Sequence, residues 1–422
     1  LKIQLSIAQL TLLKEALPFW CERYAYACIL SSNGISSACN YDTYDLIAGI
    51  ADANTITYID SKAMDVNPEW KLGYITYEYN HTQHGIPQLK ESTTGFTGCF
   101  FFVPRILLII KKGSNEIEIV GADETILDVI IHSKSNITIR REISLTARVA
   151  KEEYISNVEK IKEQITDGDF YELNYCMEFY VEDTFMNAPQ VFLNLDAISP
   201  TPFASYIKHQ NKYLLCASPE RFLKREGDKI IAQPIKGTTH RGADIKEDDA
   251  LKIKLEQSEK EQAENIMIVD LMRNDLARCA ERASVRAEEL LTIYSFATVH
   301  QLISTVTATL KSDISFHDIL NNTFPMGSMT GAPKREVIHA IDKYEHTARG
   351  IFSGSVGYIS PEKDFDFNVV IRSIIYNAER NYISCHVGSA ITYDADAASE
   401  YEECLLKAKT MFKALDTEKI IF

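Results

Sequence analysis

Three apolar runs toward the C-terminal end, at 356–359, 367–376 and 382–391, are separated only by short turn-forming stretches such as Asn377 to Asn381. A parallel crossover needs a dozen or more residues, so strands joined this tightly must pair antiparallel. Similar short runs fill the first third of the chain, at 72–79, 106–110 and 117–120,. Helical spacing predicts helices at 122–133, 145–166, 245–280, 335–344 behind Pro333, and 399–415,. Together these patterns predict an α+β chain: two packed antiparallel β-sheets, a β-sandwich-like core, with helices outside. The change of character near 144–150 predicts two regions, 1–145 and 146–422.

The 44 basic and 59 acidic residues leave a net charge of −15. Such a surface repels nucleic acid and anionic lipid, so neither is an expected partner. An anionic substrate must be met by local cations or a metal. No apolar run is long enough to span a membrane, since Pro104 and Arg105 interrupt the stretch 99–110,. The first residues show no cleavable signal pattern,. Nine cysteines, none in a CxxC pair and several among apolar neighbours, predict reduced thiols and a cytoplasmic protein,.

Four constellations carry possible chemistry. Ser218-Pro219-Glu220 precedes Pro234-Ile235-Lys236-Gly237-Thr238 across a strand-like return. A hairpin there brings a carboxyl and an amine together; buried, one acts as an acid and the other as a nucleophile. A surface ion pair is the commoner outcome of such spacing. Next, Glu261 and Glu264 share one helix face, and Glu400 and Glu403 another,. Two such faces meeting would suit Mg2+, a hard cation bound by carboxylates and water. The alternative for 399–403 is a capping box, Ser399-x-x-Glu402.

The third constellation, Gly327 to Lys334, is a Gly-rich loop leading into a helix, able to present backbone amides to an anion,. It is no phosphate-binding P-loop, because Arg335 follows Lys334,. The fourth combines 354–358, Arg372 and 387–391. An Arg between Ile371 and Ile374 needs a partner, either a structural carboxylate or a ligand,.

These blocks resemble, in order, those of the chorismate-utilising enzymes, over about 154–415. The resemblance implies their fold, chorismate as substrate and Mg2+ as cofactor. It implies Glu220 as the acid that protonates the leaving C4 hydroxyl, with His300 near the ring. It implies Mg2+ on Glu264 and Glu403, with Glu400 close by and Glu261 behind. Thr330 and Gly331 would take the ring carboxylate; Tyr358, Arg372 and the amides of Gly388, Ser389 and Ala390 would take the pyruvyl carboxylate.

Within the family, the block around Lys236 resembles that of the aminodeoxychorismate synthases, in which the Lys adds to C2 before ammonia enters at C4. Anthranilate synthases carry Ala at that place. For this role the amine must be neutral, so its pKa is expected to fall. Members that add water carry a Lys base near Glu172, which is absent here. Asn174 matches the Asn of aminodeoxychorismate synthases. Departures are Ala390 for Gly and Glu172 where Gln is common. Leu30-Ser31-Ser32 and 197–203 match only in part the blocks that contact tryptophan in feedback-regulated members. No glutaminase signature is visible in the chain, so the resemblance implies a separate glutamine amidotransferase subunit supplying ammonia.

Overall fold

Alternation along the strand Lys212–Ser218 sorts its side chains into two apolar clusters. Leu215 and Ala217 join Trp20, Val158, Tyr401 and Met411, while Leu214 and Cys216 join Leu72, Phe101, Ile230 and Val306. A period of two thus turns one face toward helices and the other toward a second sheet. The computed structural model describes residues 1–86, 90, 92–134, 143–296, 299–417 and 420–421.

The first sheet starts at Lys2–Gln4 and passes through Glu116–Val120, Ile106–Lys111, Tyr44–Ala51 and Tyr26–Ser31. It continues through Phe203–His209, Lys212–Ser218, Ser373–Asn377, Tyr382–Ile391, Glu172–Val181, Leu145–Ala147 and Ile420–Ile421. The second runs Ile235–His240, Val299–Thr309, Lys229–Gln233, Arg221–Glu226, Phe365–Asn368, Ser355–Ile359, Lys71–Ile75, Cys99–Phe102 and Thr57–Tyr58. Described pairings are antiparallel except Ile420–Ile421 on Leu145–Ala147. The helices Ile7–Cys21, Lys151–Asp167 and Ala397–Ala414 cover the first sheet's outer face. The expected α+β sandwich with outer helices is the fold.

The division at 145/146 does not separate two cores. Ser31 pairs with Ala204 in one sheet and Gly73 with Gly357 in the other, so both sheets run through both regions. The helix expected at 145–166 starts only at Lys151, because Leu145–Ala147 is taken up as a strand. The helical stretch 245–280, expected as one or two helices, forms two, Ile245–Glu256 and Glu259–Cys279, and Ser258 caps the second. The last helix is capped by Asp396 through Ser399 N at 2.9 Å, so the capping box on Ser399 does not form.

One correction bears on function. The apolar run 367–376 is not one strand. Phe365–Asn368 lies in the second sheet and Ser373–Asn377 in the first, and Arg372 takes a left-handed φ of 50° in the crossing between them. Arg372 therefore sits at a switch between sheets rather than on a central strand. Valine and isoleucine fit either sheet, so periodicity alone does not mark the break.

Candidate active site

A second crossing lies beside the first. The chain leaves the first sheet at Ser218 and enters the second at Arg221, with Glu220 in the turn between. Ser218 Oγ accepts from Glu220 N at 3.2 Å, and Glu220 O accepts from Val369 N at 3.0 Å. Cys216 pairs with Ser373, and Arg221 with Asn368, on either side. Glu220 and Arg372 thus sit on neighbouring crossings. The Glu220 carboxyl is buried, and burial pushes its pKa up to about 7 against the pull of the Ser328 hydroxyl, Lys236, the Ile235 N–H and Arg372. A carboxyl so placed is a competent proton donor near neutral pH.

Lys236, on Ile235–His240, donates from Nζ to Glu172 Oε1 at 2.8 Å. Burial works against its charge, but Glu172, Glu264 and Glu220 outweigh burial and hold the ammonium well above its ordinary range. The expected neutral amine is corrected: as it stands, Lys236 is a cation within an acidic cluster. Glu172, noted in the sequence only as a departure from Gln, is its direct partner. Its other oxygen, Oε2, is buried with no hydrogen-bond partner among the described residues.

The Gly-rich loop is laced onto the strand Glu172–Val181. Asn174 N donates to Thr330 O at 2.8 Å, and Asn174 Nδ2 donates to Ser328 O at 3.0 Å. Gly331, at φ +139°, pairs with Leu173, where an added Cβ would stand 2.0 Å from Glu172 O. Thr330 Oγ1 donates to Met326 O at 3.0 Å. Buried Arg349 locks the arrangement, donating to Met329 O at 2.6 Å, Asn174 O at 2.8 Å and Glu345 Oε1 at 2.6 Å. Asn174 therefore positions the loop that carries Ser328 to Glu220. Ser328, Arg349 and Glu345 were not singled out in the sequence. Ser328 lay inside the recognised loop, but nothing local distinguishes it.

Gly388, Ser389 and Ala390 pair with Cys176, Tyr175 and Asn174. The other edge of that strand pairs with Ser373–Asn377 only as far as Cys385, so 386–391 continue beside the point where Arg372 leaves the sheet. An Arg next to such a strand edge is a suitable arrangement for a carboxylate. Ser389 Oγ also lies 2.9 Å from the Tyr154 hydroxyl.

The acidic faces come from the helices Glu259–Cys279 and Ala397–Ala414. Burial pushes the Glu264 carboxyl up to about 7, with Glu172 and Glu261 adding to the rise against Lys236 and Lys260. Burial and Glu403 raise Glu400. Burial also pushes on Glu403, but Lys407 at 2.7 Å, with Lys260 and Lys236, holds it below its ordinary value. Among the described residues no three Asp, Glu, His or Cys side chains converge closely enough to hold a metal as they stand. Instead the Lys260 ammonium lies 3.8 Å from Glu264 and 3.6 Å from Glu400. The donors are nonetheless hard oxygens, and Glu261 raises Glu264 as Glu403 raises Glu400, a crowding of negative charge that a dication relieves, so the residues fit Mg2+,.

Two expected site residues make their contacts with other groups. Tyr358 packs against Tyr44 and Trp70, with ring centroids at 5.5 and 5.6 Å, and lines a different cavity with Ser32, Phe203 and Asp366. Alternation along Ser355–Ile359 turns it there, so its assignment to the pyruvyl carboxylate is corrected. The stretches 30–32 and 202–204 meet around that same cavity. His300 pairs with Thr239 in the second sheet. Both its ring nitrogens are engaged, Nδ1 with Ser295 Oγ at 2.8 Å and Nε2 with Asp248 Oδ1 at 3.0 Å, while Arg241 grips Asp248 at 2.8 Å. These contacts tie His300 to the helix Ile245–Glu256 rather than to Glu220.

Residues 23–413 match the family described as chorismate binding enzyme. The chloroplastic aminodeoxychorismate synthase of Arabidopsis thaliana is 35% identical over 377 residues, covering 82% of this chain and 40% of that protein. Aminodeoxychorismate synthase component 1 of Escherichia coli (strain K12) is 30% identical, covering 82% of this chain and 76% of that one. This chain spans only 30% to 40% of the length of the plant and Streptomyces griseus relatives. Among solved structures, anthranilate synthase component I from Streptococcus pneumoniae TIGR4 superposes with a TM-score of 0.70 at 26% identity, covering 81% of this chain and 80% of that chain. The menaquinone-specific isochorismate synthase of Escherichia coli gives 0.74 at 15% identity, over 98% and 94%, a likeness of fold. With the match running across both sheets and every element of the acidic, lysine-bearing site, the chain belongs to the chorismate binding enzyme family.

Proposed function

We propose that this chain is the chorismate-aminating component of an aminodeoxychorismate synthase, converting chorismate and ammonia to 4-amino-4-deoxychorismate for the para-aminobenzoate branch of folate synthesis. The observation that carries the reading is Lys236, largely buried beside Glu220 and hydrogen-bonded to Glu172. Component 1 relatives carry names that point to a separate partner component, consistent with a glutamine amidotransferase subunit that supplies the ammonia. Among the described residues no helix is long and apolar enough to cross a membrane, and nine unbridged cysteines suit a reducing compartment such as the cytoplasm,.

In this reading Arg372 and the 388–390 edge hold one carboxylate of chorismate, and the Thr330–Gly331 loop holds the other. Lys236 passes its proton to the Glu172 oxygen it already touches, and the neutral amine adds to C2. The ring double bond shifts, the C4–O bond breaks, and Glu220 gives its proton to the departing oxygen, which leaves as water. Ammonia then adds at C4 as the Lys236–C2 bond breaks, its surplus proton returns to Glu220, and the amine leaving C2 recovers its proton from Glu172. Mg2+, held by Glu264 and Glu403 with Glu400 and Glu261 nearby, would supply positive charge for the ring carboxylate. The test is incubation with chorismate, Mg2+ and ammonium, followed by product identification. A C4-aminated product is expected; a C2-aminated product or isochorismate would overturn the assignment.

A further inference from the structure

The cation between the two acidic helices is Lys260. Its ammonium spans the gap from Glu264 on its own helix, at 3.8 Å, to Glu400 on the other, at 3.6 Å. Both distances exceed hydrogen-bond range, so it is held by charge rather than by directed bonds. Lys407, by contrast, grips Glu403 at 2.7 Å and Gly388 O at 2.9 Å and is a fixed part of the frame. The Lys260 side chain is 53% exposed and sits on a flexible four-carbon stem, free to swing into water,.

We infer that Lys260 is a resident counter-cation: it neutralises the metal-binding carboxylates when no metal is bound and must swing out when a divalent ion enters. The inference rests on the Mg2+ reading above. An ammonium and Mg2+ cannot share those carboxylates. The dication needs oxygens at about 2.0–2.1 Å, and at that range it repels a neighbouring ammonium strongly. Lys260 therefore holds the two helices together before metal arrives, at the cost of weakening metal affinity. It is a positioning residue for the site, not a group that touches substrate.

The test is calorimetric titration of Mg2+ into wild type, Lys260→Met and Lys260→Arg, all without chorismate, with thermal melts of each protein with and without Mg2+. Removing a half-exposed cation should tighten Mg2+ binding about three- to tenfold in Lys260→Met. The melting temperature should fall without metal and rise more steeply on adding it. Lys260→Arg keeps the charge and should bind as the wild type does. Equal or weaker affinity in Lys260→Met, or equal tightening in Lys260→Arg, would overturn the inference. If wild type and both variants bound no Mg2+, the metal reading itself would fail, and this one with it. Failure of Lys260→Met alone would leave the metal reading standing.

Discussion

Lys236 Nζ donates to Glu172 Oε1 at 2.8 Å, with only 11% and 1% of the two side chains exposed to solvent. An ion pair this deep gives up much hydration and survives because Glu264 and Glu220 add their fields to that of Glu172,. The amine that the proposed chemistry needs neutral is held as a cation against its carboxylate partner.

Lys236→Ala should lose C4 amination. Intact-protein mass after chorismate without ammonia should show an adduct on the Lys236 peptide of the wild type and none on the variant. Unchanged C4 amination by the variant would return Lys236 to a charge-balancing role.

Glu172→Gln removes the carboxylate that does most to keep Lys236 charged. Burial then dominates and the amine pKa falls. The pH at which the adduct forms should move downward relative to wild type, as read by mass spectrometry across a pH series. An unmoved profile would show that Glu172 does not govern the protonation of Lys236.

Glu220 acts only while it carries its proton, so turnover should fall as pH rises through about 7. The same group links pH to stability. Its folded pKa lies above the ordinary 4.5, so its contribution is complete below about 4 and is lost as pH rises through about 7,. That rise corresponds to about 3 kcal/mol. Glu220→Gln cannot ionise. It should be nearly inactive, yet between about pH 5 and about pH 8 it should lose roughly 3 kcal/mol less stability than wild type. Urea denaturation at both pH values checks this; identical losses would place the buried proton elsewhere.

Glu264→Gln and Glu403→Gln should each abolish turnover while leaving the melting temperature within a few degrees of wild type. Mg2+ titration of either variant should show weakened binding, and a chelator should silence the wild type reversibly. Near-full turnover of either variant at saturating chorismate would remove that residue from the metal set.

Gly331→Ala tests the loop. Its Cβ would meet the Glu172 carbonyl at 2.0 Å from a backbone at φ +139°, so strand and loop must part. A stability loss of about 2–4 kcal/mol is expected by urea denaturation, together with lost chorismate affinity. A variant as stable as wild type would show that the loop tolerates displacement.

Much of this protein is legible without coordinates. Alternation marked the strands, and short turns forced them antiparallel. The ordered blocks singled out Glu220, Lys236, Glu264, Arg372 and Glu403, to which the proposed chemistry gives roles. Less legible were Ser328 and Arg349, which act through hydrogen bonds to residues far off in sequence. Tyr358 was misplaced because a family block gives a residue's place in the chain and not the face of the strand it points from, and neighbours on a strand face opposite ways.

The sequence by itself determined where most elements form and which side chains are available for chemistry, since propensity, periodicity and motif spacing are local properties. Only the tertiary structure decided how they meet. Two crossings between sheets, through Glu220 and through Arg372, lie side by side because Cys216 pairs with Ser373 and Arg221 with Asn368. The packing of one sheet on the other likewise brings Glu172, on a strand of the first, to Lys236, on a strand of the second, across 64 residues. A one-residue slip in either strand would turn the partner to the opposite face, and no local pattern encodes that choice.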